Sequence, residues 1–329
     1  MNDRRKIAVV GGGAWGTALA TVAARNGHSV EIYAREEQTV EAINTRHENP
    51  SYLPDIALPP ELHATSRIEE ALDGAEMVLV VVPAQTVRAL ARTMKDHLTE
   101  QTPLVLCSKG IEKSTGLFVS QMMAEELPDQ PLAVLSGPSF AQDLARGLPT
   151  AVTLASADAG LADRLAAILS GDTLRIYASA DIVGVEAGGA LKNVLALAAG
   201  AIAGRQMGPS AGAAIVTRGF VELRRLGEAL GARPETLMGL SGLGDLVLTC
   251  SSPQSRNFAY GAALGRGEDL TQLKLAEGIY SASIAARLAR EHGVEAPIIQ
   301  TVADVLEGAV SLDDAIRALL SRPLKRETD

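Results

Sequence analysis

Two lysines stand where an amine can act on a substrate. Lys192 lies in Glu186-Ala-Gly-Gly-Ala-Leu-Lys192-Asn193-Val-Leu-Ala, an otherwise nearly apolar helical run. A buried ammonium is expensive and loses proton affinity when desolvated. Structure alone therefore gives little reason for a lysine at this position, although its stem can also snorkel to water. The glycines and alanines around it leave room for close approach of another backbone or a ligand. Lys109, in Ser108-Lys109-Gly110, directly follows a strand-like run at 104–107. A ketone that receives a hydride becomes an alkoxide and needs a proton and positive charge nearby. A lysine of lowered pKa, helped by a second cation, suits both tasks. No histidine competes: His28 sits in a helix-to-strand turn, and His47, His63, His97 and His292 fall in loops or polar helix positions.

Further downstream, Asp245 and Thr249 are four apart and share one helical face. Ser255-Arg256-Asn257 groups a guanidinium with two hydrogen-bonding side chains. That set suits bidentate phosphate recognition, against a competing reading of ordinary surface polarity. Ser136-Gly137-Pro138-Ser139-Phe140-Ala141 follows another strand-like run. Either Ser139 or a neighbour caps a helix, or the helix start presents N–H and hydroxyl donors to an anion.

These groups need a scaffold, and the N-terminus supplies its signature. The apolar run 6–10 ends in Gly11-Gly12-Gly13-Ala14-Trp15-Gly16, and small helix-forming residues follow. In a dinucleotide-binding turn Gly11 allows a tight exit from the strand and Gly13 lets the backbone approach a pyrophosphate. Gly16 lets the helix pack closely on the sheet. The second strand ends at Tyr33-Ala34-Arg35. An arginine at this edge, in place of an acidic residue, can receive a 2′-phosphate, so NADP(H) is an expected cofactor alongside NAD(H). Glu36 and Glu37 follow at once, and Arg35 as a solvated surface charge is the competing reading.

Strand-like runs at 30–34, 77–82, 104–107, 132–135, 151–155 and 174–178 alternate with helical patterns such as 84–94 and 161–169. That rhythm predicts an α/β fold, a Rossmann-like mostly parallel sheet with helices on both faces and active groups at the carboxyl ends of strands. Beyond about residue 180 only helical patterns recur, at 185–204, 211–230, 281–292, 301–306 and 312–320. The expected division is a dinucleotide-binding domain at 1–180 and an all-helical substrate domain at 181–329, with the site in the cleft between them. Residues 325–329 read as a frayed end.

Composition narrows the partners. A net charge of -9 argues against nucleic acid or an anionic membrane surface. Aromatic content of 3% removes support for base stacking and leaves a core of Ala, Leu, Val and Ile. Cys107 and Cys250 lack zinc-type spacing, consistent with a reduced, cytoplasmic protein with no metal site. The basic start at 4–6 runs into glycines too soon for a signal peptide. The apolar segment 194–203 is too short for a membrane span.

The segments Gly11–Ala20, Ser108–Glu112, Ser136–Ala141, Ala190–Asn193, Gly244–Cys250, Ser255–Asn257 and Ala276–Gly278 together resemble bacterial-type NAD(P)-dependent glycerol-3-phosphate dehydrogenases over nearly the whole chain. The resemblance implies reversible hydride transfer between NAD(P)H and dihydroxyacetone phosphate, giving sn-glycerol 3-phosphate for phospholipid synthesis. It implies Lys192 as proton donor and acceptor, and Lys109, Gly137, Ser139, Asp245, Ser255, Arg256 and Asn257 as substrate contacts. Gly11, Gly13, Trp15, Gly16, Arg35, Lys109, Ala141, Arg256, Leu275 and Glu277 are the implied cofactor positions, and a cytoplasmic homodimer is the implied assembly. Two other readings stay open. One is a 3-hydroxyacid or 6-phosphogluconate type of dehydrogenase, in which lysine and asparagine stand several residues apart. The other is a dinucleotide-sensing protein without catalysis.

Overall fold

The computed structural model describes residues 4–271, 273 and 276–321. The segment 325–329, read above as a frayed end, lies outside the described residues. The chain divides into two compact units, Met1–Gly189 with Gly231–Asp245, and Ala190–Leu230 with Leu246–Asp329. The last strand does end at Ser179, but the first unit runs on to Gly189 and takes in 231–245. The Asp181 carboxylate ties these pieces together: it accepts from the backbone N–H of Gly184 at 2.9 Å and of Arg233 at 2.9 Å.

The first unit carries an eight-stranded sheet. Its strands are β1 Lys6–Val10, β2 Ser29–Tyr33, β3 Leu62–Thr65, β4 Met77–Val80, β5 Leu104–Leu106, β6 Leu132–Ser136, β7 Thr150–Ala155 and β8 Leu174–Ser179. Their order across the sheet is β3-β2-β1-β4-β5-β6-β7-β8, and all neighbours are parallel except β6 and β7. Strands covered on both faces must be apolar at successive positions, because alternate side chains enter opposite layers. Ile7, Val9, Met77, Leu79 and Val105 join one core, whereas Ala8, Val10, Val78, Val80, Leu104 and Leu106 join the other. The strand β3 has no such run: Leu-His-Ala-Thr is short and half polar, and pairing with β2 from Val30–Leu62 to Tyr33–Thr65 holds it in place. The run 6–10 is the interior strand β1, between β2 and β4.

The helices expected in the second half are present, and four begin earlier than their apolar pattern: Ile182–Gly204, Pro209–Ala229, Glu277–Glu291 and Pro297–Leu306, the second and fourth with proline in the first turn. The helix Arg256–Arg266 gave no clear pattern because Gly261 and Gly265 interrupt it. Those glycines have a structural purpose in the second unit. A Cβ on Gly261 would lie 2.1 Å from the Leu197 carbonyl oxygen, and one on Gly265 would lie 2.4 Å from that of Ala201. Reciprocally, Gly200 and Gly204 of the helix Ile182–Gly204 meet the carbonyls of Phe258 and Ala262. The two helices thus approach backbone to backbone. The helix Ile182–Gly204 is long and apolar enough to cross a membrane, but it is mostly buried, the environment of a core helix.

Candidate active site

The turn from Gly11 to Gly16 links β1 to the helix Ala14–Arg25. Gly11 adopts a φ of 127°, and a Cβ there would stand 2.2 Å from the Val81 carbonyl oxygen. A Cβ on Gly16 would stand 1.9 Å from the Gly11 carbonyl oxygen. These two glycines are demanded by the protein's own packing. Gly13 is different: its φ of -74° and ψ of 179° suit any residue, and a Cβ there meets nothing within 4 Å. The space over Gly13 is open, with no protein atom where a Cβ would stand, and such a face fits a cradle for a pyrophosphate. The first helical bond runs from the Thr17 N–H to the Gly13 carbonyl at 2.9 Å. The N–H groups from Gly13 to Gly16 therefore stand outside the helical ladder, at the positive end of the dipole. The Trp15 indole N–H is buried beside them with no partner among the described residues. Arg35, just past β2, has a side chain 79% exposed with Glu36 only at 3.9 Å, a weak pairing that leaves its charge available.

At the carboxyl end of β5, the Ser108 hydroxyl donates to the Val82 carbonyl at 2.5 Å and pins the next residue, Lys109. The Lys109 amine donates to Asp245 Oδ2 at 2.7 Å and to the Gly137 carbonyl at 3.1 Å. Asp245 is 1% exposed and the Lys109 side chain 20%, so the ion pair is largely shielded from water. Gly137 holds a φ of 149°, and a Cβ there would come 2.8 Å from Val152 Cα in β7. Gly189 admits the Lys109 stem and Ser136, whose Oγ would lie 2.6 Å from its Cβ. Ser139 does not cap the following helix: its hydroxyl donates to the Gly137 carbonyl at 3.1 Å, and the N-cap of Ala141–Ala145 is Phe140. Ala141, an expected cofactor position, opens that helix.

In the second unit, Lys192 is 6% exposed and its amine donates to the Thr249 hydroxyl at 2.8 Å. Its stem does not snorkel to water. The neighbouring Asn193 accepts from Asn257 Nδ2 at 2.9 Å, and Asn257 Oδ1 accepts from the Gly278 N–H at 2.8 Å. One chain of amide bonds so joins the segment Lys192–Asn193 to the starts of two other helices. Ser255 caps the helix Arg256–Arg266 by accepting from Phe258 N–H at 3.2 Å. Arg256, the first residue of that helix, is exposed and forms no ion pair among the described residues. Glu277 opens the helix Glu277–Glu291. Leu275 lies outside the described residues.

Thr249, placed on one helical face with Asp245 in the sequence, takes the Lys192 bond. Two features were not singled out from the sequence. Ser136 Oγ is buried beside the Lys109 stem with no partner among the described residues. The other is Glu186, a glutamate in the same apolar run as Lys192, which the same reasoning would have flagged. Glu186 accepts from the Ser120 N–H at 2.8 Å and from the Ser120 hydroxyl, and burial pushes its carboxyl from 4.5 up to about 7. His28 is structural: Nδ1 accepts from the Arg5 N–H at 3.3 Å and Nε2 pairs with the Ile168 carbonyl at 3.0 Å. Cys107 and Cys250 are buried and unbridged, and burial pushes the Cys107 thiol upward.

A Rossmann-like sheet with a glycine turn, followed by a helical unit that buries a lysine, is the build of a two-domain nicotinamide-dependent dehydrogenase. Comparison with known proteins carries this further. Residues 6–162 match the model of the NAD-dependent glycerol-3-phosphate dehydrogenase N-terminus, and residues 181–317 match that of its C-terminus. Glycerol-3-phosphate dehydrogenase [NAD(P)+] of Brucella ovis is 58% identical over 98% of this chain and 99% of its own. The Mesorhizobium japonicum protein of the same description is 59% identical over 98% and 94%. The crystal structure of glycerol-3-phosphate dehydrogenase from Coxiella burnetii superposes with a TM-score of 0.92 at 38% identity, covering 97% of this chain and 99% of that one. The chain belongs to the NAD(P)-dependent glycerol-3-phosphate dehydrogenase family. It is an oxidoreductase that uses a nicotinamide dinucleotide.

Proposed function

We propose that the chain catalyses reversible NAD(P)H-dependent reduction of dihydroxyacetone phosphate to sn-glycerol 3-phosphate, with Lys192 as general acid and base. In this reading it works in the cytoplasm as a homodimer, the assembly implied by the family resemblance, and supplies glycerophospholipid synthesis. The names of relatives at 58% and 59% identity support the substrate and the cofactor. The observation that carries the role of Lys192 is an amine buried in an apolar helix and aimed at the Thr249 hydroxyl.

The bound nicotinamide supplies the hydride. As the substrate carbonyl oxygen gains negative charge, Lys192 Nζ hands it a proton; in the reverse direction the same nitrogen takes the proton from the hydroxyl. Lys109, held by Asp245, adds positive charge where the alkoxide develops. The exposed Arg256 fork, with Asn257 and Ser255 at the same helix start, receives the phosphate. Gly137 and Ser139 complete the substrate contacts. Gly11, Gly13, Trp15, Gly16, Arg35, Ala141, Leu275 and Glu277 hold the dinucleotide.

The test is an assay of purified protein with dihydroxyacetone phosphate and each reduced cofactor, repeated on Lys192→Ala and Lys192→Met. Removing a general acid lowers kcat by about 10²–10⁴-fold, while the NADPH Kd stays near that of the parent. Turnover close to the parent removes Lys192 from its role, and activity confined to hydroxyacids overturns the substrate.

A further inference from the structure

The glycine turn is held from outside by a residue far along the chain. Asn49 follows the helix Glu37–Arg46 and is 0% exposed. Its Nδ2 donates to the Gly12 carbonyl at 2.9 Å and to the Thr17 hydroxyl at 2.8 Å. Flipping the amide would set its oxygen against the Gly12 oxygen, so the orientation is determined by these partners. Asn49 is itself anchored, since its carbonyl accepts from the Leu53 N–H at 2.8 Å and Leu53 is fully buried in the core. Its Oδ1, by contrast, is buried with no partner among the described residues. A buried acceptor left unsatisfied is a standing cost, set against the two buried bonds that Nδ2 makes to the turn.

We propose that Asn49 is a positioning residue of the dinucleotide turn, fixing the Gly12–Gly13 peptide so that the Gly13 N–H faces the pyrophosphate. The peptide is planar and trans, so its C=O and N–H point opposite ways. Anchoring the Gly12 carbonyl on Asn49 aims the Gly13 N–H away from the core. The next peptide is held too, because the Gly13 carbonyl accepts from Thr17 N–H at 2.9 Å while the Thr17 hydroxyl is held by Asn49. Both peptide groups that flank Gly13 are thereby set before any ligand arrives. This inference rests on reading the Gly11–Gly16 turn as the pyrophosphate site.

The test measures NADPH Kd by quenching of Trp15, the only tryptophan in the chain, for Asn49→Asp, Asn49→Leu and Thr17→Val, with thermal melting alongside. Gly13→Ala reports on the turn itself. Asn49→Asp and Asn49→Leu raise the Kd at least tenfold, and Thr17→Val, which keeps the shape but loses the hydroxyl that accepts from Asn49 and donates to the Gly12 carbonyl at 3.4 Å, raises it several-fold. The KM for NADPH rises in step, while that for dihydroxyacetone phosphate moves less than threefold. A Kd within twofold of the parent in whichever of these variants folds, with Gly13→Ala weakened, overturns the proposal and leaves the turn as the pyrophosphate site. If Gly13→Ala also binds like the parent, the pyrophosphate reading falls and the role of Asn49 falls with it.

Discussion

Gly13→Ala separates what the fold needs from what a ligand needs. The added Cβ meets no protein atom within 4 Å, and the backbone at φ -74° and ψ 179° admits alanine without strain. Two small terms act on stability: alanine is a poorer N-cap than glycine by about 0.5–1 kcal/mol. Against this, it narrows the unfolded ensemble by a gain of about 0.4–1 kcal/mol. They oppose, so melting of the ligand-free protein should hardly move. Binding is another matter: with the turn proposed as the pyrophosphate site, the methyl would occupy the space through which the backbone reaches the ligand. A hydrogen bond to a charged group contributes about 1.5–3 kcal/mol, so loss of one corresponds to roughly 10- to 150-fold in Kd. Titration of NADPH against Trp15 fluorescence, with melting curves in parallel, reads both quantities. Gly16→Ala is the contrast: its Cβ would lie 1.9 Å from the Gly11 oxygen, so it should lower the melting temperature whether or not cofactor is present. A Gly13→Ala protein that melts like the parent and binds NADPH within twofold would refute the reasoning.

Arg35→Asp should cost NADPH about tenfold or more in Kd, the worth of a charge-assisted phosphate contact, and leave NADH within threefold; equal losses would exclude a 2′-phosphate partner. Thr249→Val removes the oxygen that accepts from Lys192 at 2.8 Å. Loss of about 1.5 kcal/mol or more lowers kcat by roughly tenfold, with the KM for NADPH unchanged and Thr249→Ser restoring turnover; a kcat equal to the parent's would show that this bond does not position the amine. Glu186 sets a pH dependence, since its folded carboxyl is raised from 4.5 to about 7 by burial. Between those values the folded protein keeps a proton that the unfolded chain has released, so this contribution is full below about pH 4.5 and is lost as pH rises towards 7. Its size is on the order of 3 kcal/mol, and Glu186→Gln should flatten that part of the melting profile; superimposable profiles would place the titration of Glu186 elsewhere.

The sheet was readable because its physics is local. Parallel strands buried on both faces are continuous apolar runs, and β1, β4 and β5 carry that mark. β3 was not, since it is held by its neighbour β2 and has no pattern of its own. Lys192 announced itself as a charge in an apolar helix, and Glu186, four hydrophobic or small residues and a leucine before it, carried the same mark unnoticed. Ser139 or a neighbour as helix cap was one expectation from residue type; the N-cap position falls one residue on, at Phe140, which offers no side-chain acceptor.

Residue type and spacing by themselves determined the nucleotide turn, the alternation of strands and helices, and the two lysines. Each of these depends on neighbours a few positions away, where sequence distance and spatial distance agree. The tertiary structure decided which of the turn's glycines the protein's own packing demands. Gly11, Gly13 and Gly16 are alike as letters, and only the atoms that a Cβ would meet distinguish them. It also decided the partners: Lys109 finds Asp245, Lys192 finds Thr249, and Asn49 reaches back to Gly12. Those pairings join residues far apart in the chain, and short-range periodicity holds no record of where the fold will bring them.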